Sequence, residues 1–374
     1  MRPPVTVQVR WHWAVRVAVA AVLFPLLPRP VPPPLELGPP QTVSTTHPNV
    51  CVHTRLTDEV ESWKILRSLE MVREMGAPTI VEYFPWAYYA PERGRYDFGP
   101  ADLRIDLARH QGLTVIARLG GIVPAWARMG PDGPIAVETY LSEDGYQAFT
   151  EFVAAFVAHF RGRVDHIIIW NEPNVTLEWG FRRVDPEAYT RLLATAYAAA
   201  KAVNPEVQVL GGALAPTLEP EGSDLALDDR VYLARMIAAG ALETMDGLAV
   251  HAYGLTFPPE ADPAPDALNF RRVELLQTQL EAAGRGALPI YITEAGWNDS
   301  PRWTRAVSPG ARIDHTLRAF AYAEQHWPTV KVVCIWAFRY PAAQRAYGDY
   351  FTLVTPEFVT KPIYDAILDY ANER

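Results

Sequence analysis

Residues 165–174 read DHIIIWNEPN, and residues 289–297 read PIYITEAGW. Each is a short apolar run that stops on a glutamate, Glu172 in the first and Glu294 in the second. Runs of this length without polar alternation fit strands buried on both faces, as in a parallel sheet. Two such strands, each delivering a carboxyl group at its C-terminal end, fix the frame for the rest of the chain.

From His47 onward, strand-like and helix-like segments alternate, which predicts a parallel sheet with crossover helices. The strands are expected at Val50–Arg55, Thr79–Phe84, Leu113–Leu119, His166–Trp170, Val207–Gly211, Gly247–His251, Ile290–Thr293 and Val330–Phe338. Between them, Thr57 or Asp58 should cap a helix with apolar positions Val60, Trp63, Leu66, Leu69 and Val72, ending at Gly76. Further helices are expected over 101–110, 146–160, 186–203, 228–239, 267–283, 311–325 and 363–370, the one over 186–203 opened by Asp185-Pro186-Glu187. Eight strands and eight helices make an α/β (β/α)8 barrel, a single catalytic domain over 47–374. Loops that follow strands are long and rich in Trp, Tyr, Gly and Pro, so function belongs at the C-terminal mouth. There, two facing carboxyl groups suit the cleavage of a glycosidic bond.

The 374-residue chain is 49% hydrophobic and 21% charged, enough for a sizeable core. Its net charge of −9 disfavours nucleic acid and anionic membrane surfaces as partners. Residues 1–46 differ in kind: Arg2, Arg10 and Arg16 precede the apolar run 17–27, and 28–40 is proline-rich. This segment reads as a secretory signal or anchor with a spacer, making the expected location extracytoplasmic, secreted or membrane-attached. Cys51 and Cys334 are neither a disulfide scaffold nor a metal-ligand spacing. They fall on strands one and eight, which adjoin in a closed ring. Buried free thiols are the expectation, with a bridge as the alternative.

The segments 76–98 (GAPTIVEYFPWAYYAPERGRYDF), 167–174 (IIIWNEPN), 248–254 (LAVHAYG), 291–297 (YITEAGW) and 333–338 (VCIWAF) together resemble clan A glycoside hydrolases, nearest to families 5 and 39. The resemblance implies that Glu172 is the general acid/base and Glu294 the nucleophile of a retaining mechanism. Glu172 should then begin protonated and Glu294 ionised, about 5–5.5 Å apart. It also implies that Asn171 meets the sugar 2-hydroxyl, Tyr253 holds Glu294, His251 lines the site and Trp336 floors it. Trp86, Trp126, Trp179, Trp297 and Trp303 are candidate sugar platforms in the mouth loops. Many clan members carry an arginine on strand two where this chain has Glu82, so Arg55 or Arg118 is expected to supply the charge. Glu82 is expected to pair with one of them, and His53 joins the candidate list from the end of strand one.

No cofactor and no metal is expected. A metal-dependent barrel would want His-x-His after strand one, where this chain has His53-Thr54-Arg55. The expected partner is an oligosaccharide, polysaccharide or glycoside. A non-catalytic carbohydrate-binding barrel and a transglycosylase are the alternatives.

Overall fold

The computed structural model describes residues 37–373. The signal-like run and most of the proline-rich spacer expected over 1–46 lie outside those residues. The compact unit that contains the barrel begins at Pro39. Its first residues are tied down: Gln41 N–H donates to the His110 carbonyl at 2.7 Å and Thr46 N–H to that of Ala371 at 2.9 Å.

Eight strands close into one parallel ring: β1 Val50–His53, β2 Thr79–Pro85, β3 Thr114–Gly120, β4 His166–Ile169, β5 Gln208–Leu214, β6 Gly247–Tyr253, β7 Ile290–Gly296 and β8 Val330–Ile335. Neighbours run in the order β1-β8-β7-β6-β5-β4-β3-β2. Eight helices alternate with them: α1 Ser62–Glu74, α2 Gly99–His110, α3 Tyr146–His159, α4 Pro186–Val203, α5 Asp229–Ala238, α6 Val273–Ala282, α7 Pro309–His326 and α8 Pro362–Asn372. A small hairpin pairs Met129–Gly130 with Gly133–Pro134 in the loop after β3. Every strand gives at least one residue to a single buried cluster, from Cys51 and Val81 through Ile168 and Ala249 to Val332 and Cys334. That cluster is the filled barrel interior, so a ligand at the mouth must sit above it.

Local chemistry explains several element starts. Asp185 accepts from Ala188 N–H at 2.8 Å, with Pro186 first in α4, where a missing N–H costs nothing. Ser308 and Pro309 repeat the arrangement at α7. Two starts differ from expectation. A single 3-10 turn, Leu56–Asp58, intervenes before α1, which begins at Ser62 with Val60 91% and Trp63 53% exposed. The buried stripe of α1 is Ile65, Leu69 and Val72, so the apparent periodicity ran one turn too far upstream. Likewise α6 starts at Val273 after the 3-10 turn Phe270–Arg272, leaving 267–269 outside the helix.

The cysteines correct the free-thiol expectation. Cys51 and Cys334 are register partners on β1 and β8 and form a disulfide. The pairing of adjacent parallel strands puts two small side chains side by side on the interior face, a proximity the sequence hides behind a separation of 283 residues.

Candidate active site

Above the core layer, the strand ends open into a cavity of about 1080 Å³ lined by, among others, His53, Arg55, Arg118, Asn171, Glu172, Glu178, Tyr253, Glu294, Trp303 and Trp336. The backbone at its centre is forced. Trp170 and Glu172 hold φ of 72° and 39°, left-handed values that side-chain-bearing residues adopt only when the surroundings impose them. Those surroundings are visible. Glu172 N–H donates to the carbonyl of Ala213 at 3.0 Å, and Ala213 itself sits at φ 53° in an irregularity of β5. The buried Tyr189 hydroxyl donates to Ile169 C=O and accepts from Gly212 N–H, both at 2.8 Å, locking β4 to β5. Asn174 adds three more bonds, to both backbone groups of Ala215 and to Leu227 C=O.

Glu294 lies two residues before the end of β7, beside His251, its register partner on β6, just after a register shift that re-aims both. Its carboxylate is held by Arg118 Nη1 at 2.6 Å on one oxygen and by the Tyr253 hydroxyl at 2.7 Å on the other. Burial pushes this carboxyl up, but the Arg118 charge and the Tyr253 hydroxyl outweigh it and hold the group well below the usual carboxylate range. Tyr253, raised by burial and by the Glu294 charge, keeps its proton to donate. Arg118 thus supplies the cation that strand two lacks.

His251 joins the two glutamates. Its Nδ1 lies 2.7 Å from Glu172 Oε1 and 3.6 Å from Glu294 Oε2, while its Nε2 faces Arg118 Nη2 at 3.4 Å. A guanidinium only donates, so Nε2 accepts and the ring proton sits on Nδ1, directed at Glu172. The same logic fixes His53: Nδ1 meets the Thr54 carbonyl at 2.6 Å and must carry the proton. Burial first, then the Arg118 charge, lowers its pKa, so the ring is neutral with Nε2 unpartnered and 3.9 Å from Glu294 Oε1. One atom each of Glu172, His251 and Glu294 lie within 4.8 Å of one another. A cation could use such a trio, but the Arg118 guanidinium already stands against Glu294 and the His251 nitrogen facing the trio is protonated.

The remaining candidates divide. Trp336 lines the cavity, donates to Tyr340 Oη at 3.0 Å, and has the Arg55 guanidinium 5.4 Å over its ring. Trp303 lines the cavity too, stacked on Tyr347 at 5.1 Å. Asn171 lines it with its buried Oδ1 unpartnered. Arg55 lies at the rim, paired with Asp58. Trp86, Trp179 and Trp297, at 0%, 2% and 1% exposure, are packing residues instead of platforms. Trp126 abuts Trp86 and donates to Ala90 C=O, outside the cavity lining. Glu82 is also outside the lining and pairs with no arginine. It accepts from Thr54 Oγ1, Leu56 N–H and Thr57 N–H at 2.6–3.0 Å, clamping the turn after β1.

Several lining residues escaped the sequence reading, Tyr83 and Glu178 among them. Tyr83 bridges Gly120 C=O and Ile122 N–H, and a Cβ on Gly121 would meet its hydroxyl at 1.9 Å, so only glycine allows this approach. Glu178 lies six residues past Glu172. Its signal was an acidic residue between Leu177 and Trp179 in a mouth loop.

Comparison with known proteins agrees with this geometry. The fold is that of the clan A glycoside hydrolase barrels. A family 39 glycoside hydrolase from the gut symbiont Bacteroides cellulosilyticus WH2 superposes with a TM-score of 0.67 at 21% identity, over 86% of this chain and 62% of that one. GH5_18 from Streptomyces cattleya, solved with GlcNAc, gives 0.63 at 16% identity, over 87% and 80%. In sequence, the model of glycosyl hydrolases family 35 matches residues 52–176, about a third of the chain. Human Beta-galactosidase-1-like protein 2 is 33% identical over 116 residues, 28% of this chain and 17% of that protein. The chain therefore spans about a sixth of that curated relative. The clan A barrel and the Glu172–His251–Glu294 cluster together are consistent with a glycoside hydrolase of this clan.

Proposed function

We propose that the protein is a retaining glycoside hydrolase acting on β-linked sugars by double displacement. The observation that carries this reading is the approach of the two carboxyl groups to within 4.8 Å, with the ionised one held by two donors. So close an approach of two carboxylate oxygens supports the short carboxyl separation of retaining enzymes, ~5–5.5 Å, over the ~6.5–9.5 Å that leaves space for a water. In the first step a Glu294 oxygen bonds to the anomeric carbon as the bond to the leaving oxygen breaks, and Glu172 gives that oxygen its proton. In the second, Glu172 takes a proton from water, the water oxygen bonds to the anomeric carbon, and the ester to Glu294 breaks. The His251 proton occupies Glu172 Oε1, which leaves Oε2 for the transferred proton. Glu172 is the more exposed of the pair, 23% against 8%, as a group that must meet water should be. An extracytoplasmic location forms part of the proposal, supported by the disulfide, which persists in oxidising compartments.

The test uses activated aryl β-glycosides, beginning with galactosides, since the matched human relative is named a beta-galactosidase-like protein, and xylosides. Proton NMR of the first-formed sugar should show the anomeric configuration of the substrate. Glu294→Ala should be inactive, and Glu172→Ala should recover turnover with azide, which needs no general base. An inverted first product would refute the assignment. Sugar binding without turnover by the wild type would favour a non-catalytic barrel.

A further inference from the structure

The cavity holds a third carboxyl group that the two-step chemistry leaves unused. Glu178 shares the lining with Tyr83, Arg118, Asn171 and Glu172. Its side chain is half-buried, and among the described residues no cation pairs with it. The obvious arginines are occupied. Arg118 holds Glu294, and Arg182 lies over the rings of Tyr140 and Trp179 while bonding to Leu141 C=O. Asn171 shares this lining, and its amide is among the groups that pull the Glu178 carboxyl down. The backbone beneath is rigid: Trp170 Nε1 donates to Glu178 C=O at 2.8 Å, Glu178 N–H donates to Val175 C=O at 3.1 Å, and Trp179 next to it is buried. A glutamate kept for stability at such a place would have a counter-ion, because a half-buried unpaired carboxylate is costly. Burial and the charge of Glu172 accordingly push its carboxyl up to about 7. What this group lacks is a charged partner, and the cavity is where further donors would come from.

We propose that Glu178 is a sugar-binding residue that sets specificity: its two oxygens receive adjacent free hydroxyls of the sugar unit that reaches Asn171. The site then selects a neutral sugar with an unmodified diol there and rejects one bearing a sulfate or carboxylate. Charge-assisted bonds from hydroxyls to a carboxylate are the strong kind, and two on one residue fix the ring's orientation. Rejection follows from the local charge. Arg55 is spent on Asp58 and Arg118 on Glu294, so an anionic substituent at this wall would meet the carboxyl groups of Glu172 and Glu178, while the remaining lining arginine, Arg305, comes from the separate loop that carries Trp303. This inference rests on the glycosidase reading and extends it to the substrate class.

The experiment compares the full-length wild type with Glu178→Gln on 4-nitrophenyl β-glycosides of galactose, xylose, glucose and mannose, and on the monodeoxy forms of the best one. In the wild type, removal of one particular hydroxyl should lower kcat/KM at least tenfold. Glu178→Gln should lose at least tenfold on the parent glycoside, chiefly through KM, and should treat parent and deoxy forms alike within threefold. A variant that keeps the parent kcat/KM within threefold, or loses activity with the deoxy pattern unchanged, overturns the inference while leaving the hydrolase reading intact. A wild type without turnover moves the comparison to calorimetric titration with the free sugars. There, tenfold weaker binding by Glu178→Gln upholds the inference, and equal binding, or none by either protein, overturns it.

Discussion

Replacing Arg118 with methionine removes a charge from the barrel interior while nearly preserving volume. The pair it breaks is 2.6 Å long, and its side chains are 4% and 8% exposed. Loss of one member of so buried a pair typically costs about 3–5 kcal/mol, most of it the penalty of the charge left behind. That charge is Glu294, which would keep Tyr253 as a donor but lose its guanidinium. The sign with pH follows. In the wild type the depressed Glu294 pKa contributes stability above the unfolded carboxylate value of ~4.3, and this is lost as pH falls through the lower folded value. In Arg118→Met the folded value rises, so the deficit should be largest near pH 7 and should shrink toward pH 4. Adding Glu294→Gln removes the stranded charge and should recover at least ~2 kcal/mol. Urea unfolding of the wild type, both single variants and the double variant at pH 7 and pH 4.5 measures all of this. A deficit below ~1 kcal/mol, or single-variant effects that add within ~0.5 kcal/mol, would show that Arg118 and Glu294 do not act as a pair.

Glu82→Ala removes the acceptor for two backbone N–H groups and a hydroxyl, and should cost at least ~2 kcal/mol of stability. Since the residue lies off the cavity, Glu82→Gln should leave KM within about twofold, as steady-state kinetics would report. The double variant Cys51→Ala/Cys334→Ala should lose ~2–5 kcal/mol, read as a lower melting temperature than the oxidised wild type. Glu178, raised from 4.5 to about 7, favours folding at acid pH, and that contribution disappears as pH rises through 7. Glu178→Gln should therefore equal the wild type in denaturant resistance near pH 4 and exceed it by up to ~3 kcal/mol at pH 8, and a crossover of the opposite sense would count against the raised value.

The alternation of apolar strands with capped helices carried the barrel, because closure of a parallel ring needs little beyond that pattern. The two glutamates were legible for the same reason: a strand that ends on an acid in such a ring aims it at the mouth. Harder to see was everything decided by contacts between distant segments. Trp86 and Trp303 both sit in mouth loops, yet the first is walled in by Phe149 and Trp126 and the second is open to the cavity. Glu82 looked like an intruder among catalytic groups, and its turn-clamping bonds depend on where the chain runs after β1. Val60 kept helical spacing without being helical, since spacing alone does not reveal that a 3-10 turn has used up the preceding residues.

Seven of the eight junctions around the ring join strands that the backbone itself connects through a loop and a helix. The eighth, where β8 meets β1, has no such connection, and it is where Cys51 and Cys334 are bonded. The staves of this barrel are therefore hooped all the way round by covalent bonds. Glu172, Asn171, Arg118, His251, Tyr253 and Glu294 all fall inside that hoop. A protease that nicked any one mouth loop between residues 51 and 334 would open the chain without freeing a fragment, and Glu172 and Glu294 would remain on one molecule. New chain ends, inserted domains or exchanged loops at the mouth would meet the same tolerance, because the seam that usually depends on packing alone is here a bond.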